Sequence, residues 1–284
     1  MKAAQTFPAP AKLNLFLHIV GQRADGYHLL QSVFRLIDFG DELTLQVRAD
    51  GKVALLTPLP GVPVEKDLCV RAARLLQQHT DCPLGVDIAL RKTLPMGGGV
   101  GGGSSDAATM LLALNRLWQL DLPRAELQML ALRLGADVPI FVFGRNAFAE
   151  GVGEQLTAIE LPPEWYVVLT PPAHVATADI FKSRELTRDT KVIKMADFSP
   201  VSVSHFGHND LQTVATRLYP VIAEYIDWLK AYGDARMTGS GACVFAPFDN
   251  EAAALDVFSR RPAGYNGFVA RGLDRHPLWD FAQD

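Results

Sequence analysis

The chain has no basic surplus, no paired cysteines and no long apolar run, and each absence narrows what it can be. Across 284 residues, 27 Lys and Arg stand against 31 Asp and Glu, a formal net charge of −4. Nucleic-acid binders usually carry excess positive charge, so no nucleic acid is expected as a partner. An anionic ligand must then be held by local donors rather than by the field of the whole protein. The three cysteines, Cys69, Cys82 and Cys243, are widely spaced and form no CxxC pair. An odd count without metal-like spacing points to free thiols in a reducing compartment. Cys243 sits in the apolar run 242–246 and reads as a buried structural thiol. The N-terminus lacks an apolar h-region, because Pro8, Pro10, Lys12 and Asn14 interrupt it, and so does not fit a signal peptide. No apolar stretch approaches the roughly 18 residues needed to cross a bilayer. The expectation is a soluble, cytoplasmic protein with no membrane partner. With 49% hydrophobic and 20% charged residues the composition is that of a globular chain, and its length favours two domains over one.

What the chain does have is glycine in one place. The string Pro95-Met96-Gly97-Gly98-Gly99-Val100-Gly101-Gly102-Gly103-Ser104-Ser105 lies between a short strand pattern at 86–90 and an apolar helical stripe at 107–118. Without Cβ atoms, successive backbone N–H groups can converge on one point. A helix starting behind them adds unpaired N–H groups and the positive end of its dipole. The combination is an anion cradle suited to nucleotide phosphates. Three readings compete. A flexible linker would rarely run straight into a capped amphipathic helix. A dinucleotide fingerprint is met literally by Gly97, Gly99 and Gly102, but a six-glycine cluster satisfies GxGxxG anywhere, so a nicotinamide oxidoreductase is weakly supported. A kinase phosphate loop is the third; it is not a Walker A loop, since no Gly-Lys-Ser/Thr follows, and the protein-kinase signatures are absent.

The remaining pattern is mixed α and β. Leu13, Leu15 and Leu17 alternate with Lys12, Asn14, Phe16 and His18, which predicts a half-buried strand with Lys12 and Asn14 on one face. Asp25-Gly26 marks a turn that projects Tyr27 and His28. A helix is expected over 67–79, a strand over 43–47 and another over 165–169. Ser104, Ser105 and Asp106 offer capping chemistry for the helix behind the glycines, and Asp121 and Gly135 bracket a helix at 123–134. Asp137 stands before Val138-Pro139, where an N-cap would stand. Helical periodicity returns over 211–231, and Met237–Phe245 reads as a glycine turn leading into an apolar strand.

Five stretches together resemble the GHMP kinases: LPMGGGVGGGSSDAATMLLALN around the loop, PAKLNLFLHIVGQRADGYHLLQSVF at 8–34, LGADVPIFVFG at 134–144, PPAHVATADIFK at 171–182 and RMTGSGACVFA at 236–246. They cover nearly the whole chain in order, and only the segment around 183–205 matches no pattern. Within that family they are most similar to the branch that phosphorylates a cytidine diphosphate-linked methylerythritol on its 2-hydroxyl, in the non-mevalonate route to isoprenoid precursors. The resemblance implies an α/β fold of the α+β type in two domains, 1–155 and 156–284, with the active site in the cleft between them. It implies an enzyme, an ATP-dependent phosphotransferase acting on an alcohol, working as a monomer or homodimer.

Residue by residue, the resemblance makes Asp137 the catalytic aspartate, which on the residues alone is equally a helix cap. Lys12 becomes its partner, where a solvated lysine is the plainer reading. Asn14 is implied to fix the acceptor alcohol, Tyr27 and His28 to recognise the cytosine, and Thr177 and Phe181 to face the substrate from the second domain. Lys92 and the loop Pro95–Ser105 are implied to bind ATP. Gly239-Ser240-Gly241 reads both as a tight turn and as a second cover for the phosphates. Mg²⁺ is expected with ATP, without a paired-carboxylate site of its own. The alternatives are a mevalonate- or homoserine-type kinase, against which Tyr27-His28 speaks, and a non-catalytic nucleotide-binding regulator, against which Lys12 and Asp137 speak.

Overall fold

A computed structural model describes residues 3–194 and 206–284, so the part of the unmatched segment at 195–205 lies outside the described residues. The chain opens with a long antiparallel hairpin, β1 (Gln5–Gln22) and β2 (His28–Arg48), joined by the expected turn, where the Arg23 amide donates to the Tyr27 carbonyl at 2.7 Å. Short β3 (Val53–Leu55) and helix α1 (Leu68–Thr80) follow. The Asp67 carboxylate caps α1 by accepting from the amides of Cys69 and Val70. Strand β4 (Gly85–Arg91) returns antiparallel to β2 and leads through the glycine loop into α2 (Gly102–Leu117). Helices α3 (Arg124–Leu134) and α4 (Val138–Phe143) and strands β5 (Ala147–Glu150) and β6 (Gln155–Ala158) complete the first half.

The second half contains β7 (Trp165–Leu169), α5 (Thr177–Lys182), α6 (Asp210–Leu218), α7 (Pro220–Lys230), β8 (Arg236–Met237), β9 (Val244–Phe248), α8 (Glu251–Ser259) and β10 (Gly267–Leu273). The periodicity over 211–231 resolves into α6 and α7 because Pro220, which cannot donate to a preceding turn, starts a new helix. Among the described residues the strands form one mixed sheet in the order β3-β4-β2-β10-β7-β9-β8, with β1 and β5 also pairing with β2 and β6 pairing with β5. Strand β10 is the joint, since it pairs with β7 on one side and through Gly272 and Leu273 with Ile37 and Leu36 of β2 on the other.

Three apolar clusters hold the molecule together. One lies under α1–α4, and a second gathers the helices and strands of residues 167–257 with Leu17 and Ile19 of β1. The third joins Leu13, Leu15, Phe16 and Val33 to Tyr166, Val168, Phe245 and Phe268. Each fully buried Leu or Phe of this seam contributes about 1.5–3 kcal/mol relative to exposure, so the seam is a strong weld between the halves. The C-terminal tail also returns to the first half. Buried Arg124 donates to the carbonyls of Val142, Trp279 and Ala282 at 2.7–2.9 Å, and its guanidinium lies 3.8 Å from the Trp279 ring centre.

The structure corrects three expectations. The strand at 11–18 is not half-buried: Lys12 is 2% exposed, Asn14 3% and His18 5%. The free edge of β1 is covered by distant segments. The Lys12 amide donates to the Val100 carbonyl, the Asn14 amide to the Thr238 hydroxyl and the Leu17 amide to the His208 carbonyl, each within 3.0 Å. Helix α2 is not capped by Ser104, Ser105 or Asp106; Gly101, in the left-handed region at φ +76°, is its N-cap. Nor does Asp121 cap α3, whose N-cap is Pro123 with no side-chain bond.

Candidate active site

The glycine loop is held in place from every side. The Cys243 amide donates to the Gly98 carbonyl at 3.0 Å, on the flank opposite the Lys12–Val100 bond. Gly99 has φ +75°, and a Cβ there would stand 2.2 Å from the Thr238 carbonyl oxygen. At Gly101 a Cβ would come within 2.8 Å of the Phe141 ring and 3.2 Å of Lys12 Cε. These approaches require glycine for two reasons, the positive φ and the absence of space. Beyond Gly101, the first turn of α2 presents its unpaired N–H groups to a cavity of about 390 Å³, lined by Gly97–Gly99, Gly101–Ser104, Lys92, Asp137, Thr177 and Ser240.

The pair that gives this cavity chemical direction is Lys12 and Asp137. Lys12 Nζ lies 3.4 Å from Asp137 Oδ2 and donates to Asn14 Oδ1 at 2.5 Å. Asn14 in turn donates to Ser32 Oγ at 2.8 Å, and Ser32 donates to the Phe16 carbonyl at 2.6 Å. Register shifts in the β1–β2 ladder between Pro10 and Ala11 and between Asn14 and Leu17 bracket these two side chains, the usual device for re-aiming residues on a strand. Asp137 occupies the N-cap position of α4 but makes no side-chain cap bond, so its carboxylate is left to Lys12 and to solvent. The exposures differ: Lys12 is 2% exposed and Asp137 45%, so the carboxylate is the member of the pair open to the cavity.

Lys92 lines the same cavity and is already engaged. It forms ion pairs with Asp41 and Asp106, the latter at 2.8 Å. Burial works against its charge, but the two carboxylates outweigh burial and hold its pKa above the ordinary lysine value. Burial pushes the Asp106 carboxyl up to about 7, with Lys92 pulling it down and Asp41 pushing it further up. Asp41 also accepts from the amides of Thr93 and Leu94, at 2.6 and 2.8 Å, and so fixes the start of the glycine loop. Ser105 donates its hydroxyl to the Pro10 carbonyl at 2.6 Å, while Ser104 and Met96 line the cavity.

A second cavity, of about 640 Å³, opens beside the first. Tyr27, His28, Phe181 and Arg188 line it. Tyr27 is 63% exposed, while the His28 and Phe181 ring centres lie 5.0 Å apart at 34°. The two cavities share a wall, since Ala136 lines one and Asp137 the other, and likewise Ala178 and Thr177. Thr177 Oγ1 and Ser240 Oγ are 2.8 Å apart, so α5 meets the Gly239–Gly241 turn at this wall. Asn209 steadies that turn by donating to the Met237 and Gly239 carbonyls at 2.9 and 2.8 Å.

The structure thus gathers the sequence-predicted site residues around the two cavities, except that Lys12, Asn14, Val100 and Ser105 lie behind the walls rather than on them. Sequence reasoning missed Asp41, Asp106, Asn209 and Arg188. The signal for Asp41 and Asp106 was an acidic residue beside a strand end and one in the first turn after the glycines, a pattern that capping explains equally well.

Residues 67–145 match the GHMP kinases N terminal domain and residues 199–267 the GHMP kinases C terminal domain. A 4-diphosphocytidyl-2-C-methyl-D-erythritol kinase of Thiobacillus denitrificans is 62% identical over 99% of this chain and 100% of its own. One from Burkholderia cenocepacia is 59% identical over 96% of each chain. Among solved structures, a 4-(cytidine 5'-diphospho)-2C-methyl-D-erythritol kinase superposes with a TM-score of 0.78 at 32% identity, over 94% of this chain and 99% of that one. A homoserine kinase from Cytophaga hutchinsonii shares the fold, with a TM-score of 0.70 at 18% identity, over 97% of this chain and 96% of that one.

Proposed function

The chain belongs to the GHMP kinases, and we propose that it transfers the γ-phosphoryl group of ATP to the 2-hydroxyl of 4-diphosphocytidyl-2-C-methyl-D-erythritol, a step of the non-mevalonate route to isoprenoid precursors. It is an ATP-dependent small-molecule kinase. The observation that carries the choice of acceptor is the shared wall. A phosphate cavity and an aromatic-lined cavity meet at residues 136–137 and 177–178, so a molecule bound by its base in the second would present its alcohol to Asp137 in the first.

In this reading the backbone of Pro95–Ser105 and the head of α2 hold the ATP phosphates. The attacking hydroxyl binds Asp137, which orients it and accepts its proton as the oxygen bonds to the γ-phosphorus and ADP departs. The transition state is loose in most analyses, so positioning and charge stabilisation carry most of the rate. Lys12 pairs with Asp137 and faces the charge on the transferring group, while Asn14 holds the Lys12 ammonium in place. Tyr27, His28 and Phe181 take the base. Thr177 and Ser240 close the wall between the two ligands.

Mg²⁺ accompanies ATP in this proposal and neutralises phosphate charge. Asp41 and Asp106 are engaged by Lys92, and we assign the metal no protein ligand. We take the halves 1–155 and 156–284 as the two lobes, since the second cluster draws all but Leu17 and Ile19 of its buried members from the latter. Both cavities are lined by a single chain, which fits a working monomer or a homodimer of independent sites. No helix of the described residues is long and apolar enough to cross a membrane; with three free thiols, a cytoplasmic location is the reading we adopt.

The test compares turnover of the cytidine diphosphate-linked alcohol with mevalonate, homoserine and bare methylerythritol phosphate. The expected result is turnover of the first alone; equal turnover of a bare alcohol would overturn the choice of substrate.

A further inference from the structure

One side chain in the base cavity has donors on all sides and leaves its neighbour only one way to respond. Arg188 donates through Nη1 to the Leu186 carbonyl at 3.0 Å, and through Nη2 to the carbonyls of Phe181 and Ser183 at 3.0 and 2.7 Å. Its Nε–H points at His28 Nε2, 3.1 Å away. A guanidinium has five N–H donors and no acceptor, and it stays charged. The bond can therefore run in one direction only, with His28 Nε2 accepting. A ring nitrogen that accepts bears no proton, so the neutral imidazole of His28 carries its proton on Nδ1. Burial lowers the pKa of His28 and the Arg188 charge lowers it further, which agrees with a neutral ring.

The cavity consequently contains a fixed donor. His28 lines it, Phe181 packs on the ring, and no hydrogen bond among the described residues engages Nδ1. The pyrimidines differ at the atom such a donor meets. Cytosine offers N3 as a bare acceptor beside O2, whereas uracil carries a proton on N3. Nδ1–H is thus matched by cytosine and opposed, donor against donor, by uracil; a mismatch of this kind in a buried site is costly because both groups have given up water.

We propose that Arg188 is a positioning residue that locks His28 in the Nδ1–H tautomer and so selects a cytosine-bearing acceptor over a uracil-bearing one. This rests on the cytidine reading given above. A merely structural Arg188 would staple the chain after α5 through the three carbonyls and leave the tautomer and the base preference alone.

Two measurements on the full-length enzyme separate these roles. The first is the ¹⁵N–¹H ring spectrum of His28, with the proton expected on Nδ1 in the wild type and redistributed to Nε2 in Arg188→Met. The second is the ratio of kcat/KM for the cytidine- and uridine-diphosphate-linked methylerythritols. It should fall about 10- to 100-fold in Arg188→Met, through KM rather than kcat, and recover in part in Arg188→Lys, which keeps a donor. A wild-type proton on Nε2 overturns the proposal, and so does an Arg188→Met enzyme whose KM rises equally for both substrates. If Arg188→Met does not fold, the wild-type spectrum alone decides. If the wild type uses neither nucleotide-linked alcohol, the substrate reading falls, while the spectrum still reports whether Arg188 sets the tautomer.

Discussion

In the proposed phosphate site around Pro95–Ser105 the surface is backbone, clamped by β1 on one flank and by the 238–243 turn on the other. In the proposed base cavity beside Tyr27 the surface is side chain, and its foremost ring stands 63% in solvent. Phosphates are alike in every nucleotide, so a rigid N–H cradle serves them without any side chain that must be chosen. A base must be told from other bases, and only side chains carry that information. It follows that damage in the loop should cost both fold and chemistry, whereas damage in the base cavity should cost affinity and preference and leave the fold intact.

The largest effect is expected where the two regions meet. Asp137→Ala should lower kcat by roughly 10²–10⁴-fold, the range for a lost general base, while ATP binding followed by calorimetry stays within a factor of two or so. Unchanged turnover would remove Asp137 from the reaction. Next is the loop itself. In Gly99→Ala, a Cβ 2.2 Å from the Thr238 carbonyl at φ +75° forces the 238–243 turn away from the loop. We expect a loss of about 1–3 kcal/mol in stability by denaturant titration together with weakened ATP binding. A variant that lost neither would show that the clamp is looser than its geometry. Tyr27→Ala supplies the contrast. It should raise KM for the acceptor by roughly tenfold, the worth of one aromatic contact, with the unfolding midpoint unmoved.

The sequence made the donor side legible and the acceptor side only partly so. Glycines followed by an apolar stripe announce a loop at a helix head, because both signals are local, although α2 begins at Gly102, inside the glycine cluster, rather than at the serines. Asp137 could be placed before α4 from Pro139, but not assigned between cap and base, since that depends on Lys12 arriving from 125 residues away. The half-buried reading of β1 failed for the same reason. Alternation reports one face of a strand, and nothing at 11–18 tells that residues 100, 208 and 238 cover its free edge. Asp106 was misread as a cap because a carboxylate beside two serines at a helix start is what a cap looks like; it is paired with Lys92 instead. Arg188 gave no signal at all, being one arginine in a polar stretch whose partner is a histidine 160 positions earlier.

The smallest expected effect is one of pH, and it divides the two regions again. On the donor side Asp106 titrates at about 7, against an ordinary value of 3.8. Because the folded state holds this proton more tightly than the unfolded state does, the contribution to stability is greatest below about 4 and declines as pH rises to 7. Over the last part of that rise the same ionisation places a negative charge beneath the phosphate cradle, with Lys92 and Asp41 already in contact. ATP affinity should therefore fall by roughly two- to fivefold between pH 6 and 8, and Asp106→Asn should flatten the profile. On the acceptor side the lowered pKa of His28 works the other way. The ring takes up its proton only below the usual histidine range, so KM for the cytidine-linked alcohol should stay level from pH 7 upward and rise only in acid. Calorimetric ATP binding and steady-state KM, measured across the same buffers, compare the two directly. A level ATP profile would mean that Asp106 is already ionised at pH 6, and that the triad beneath the loop is one net negative charge at every pH at which the enzyme works.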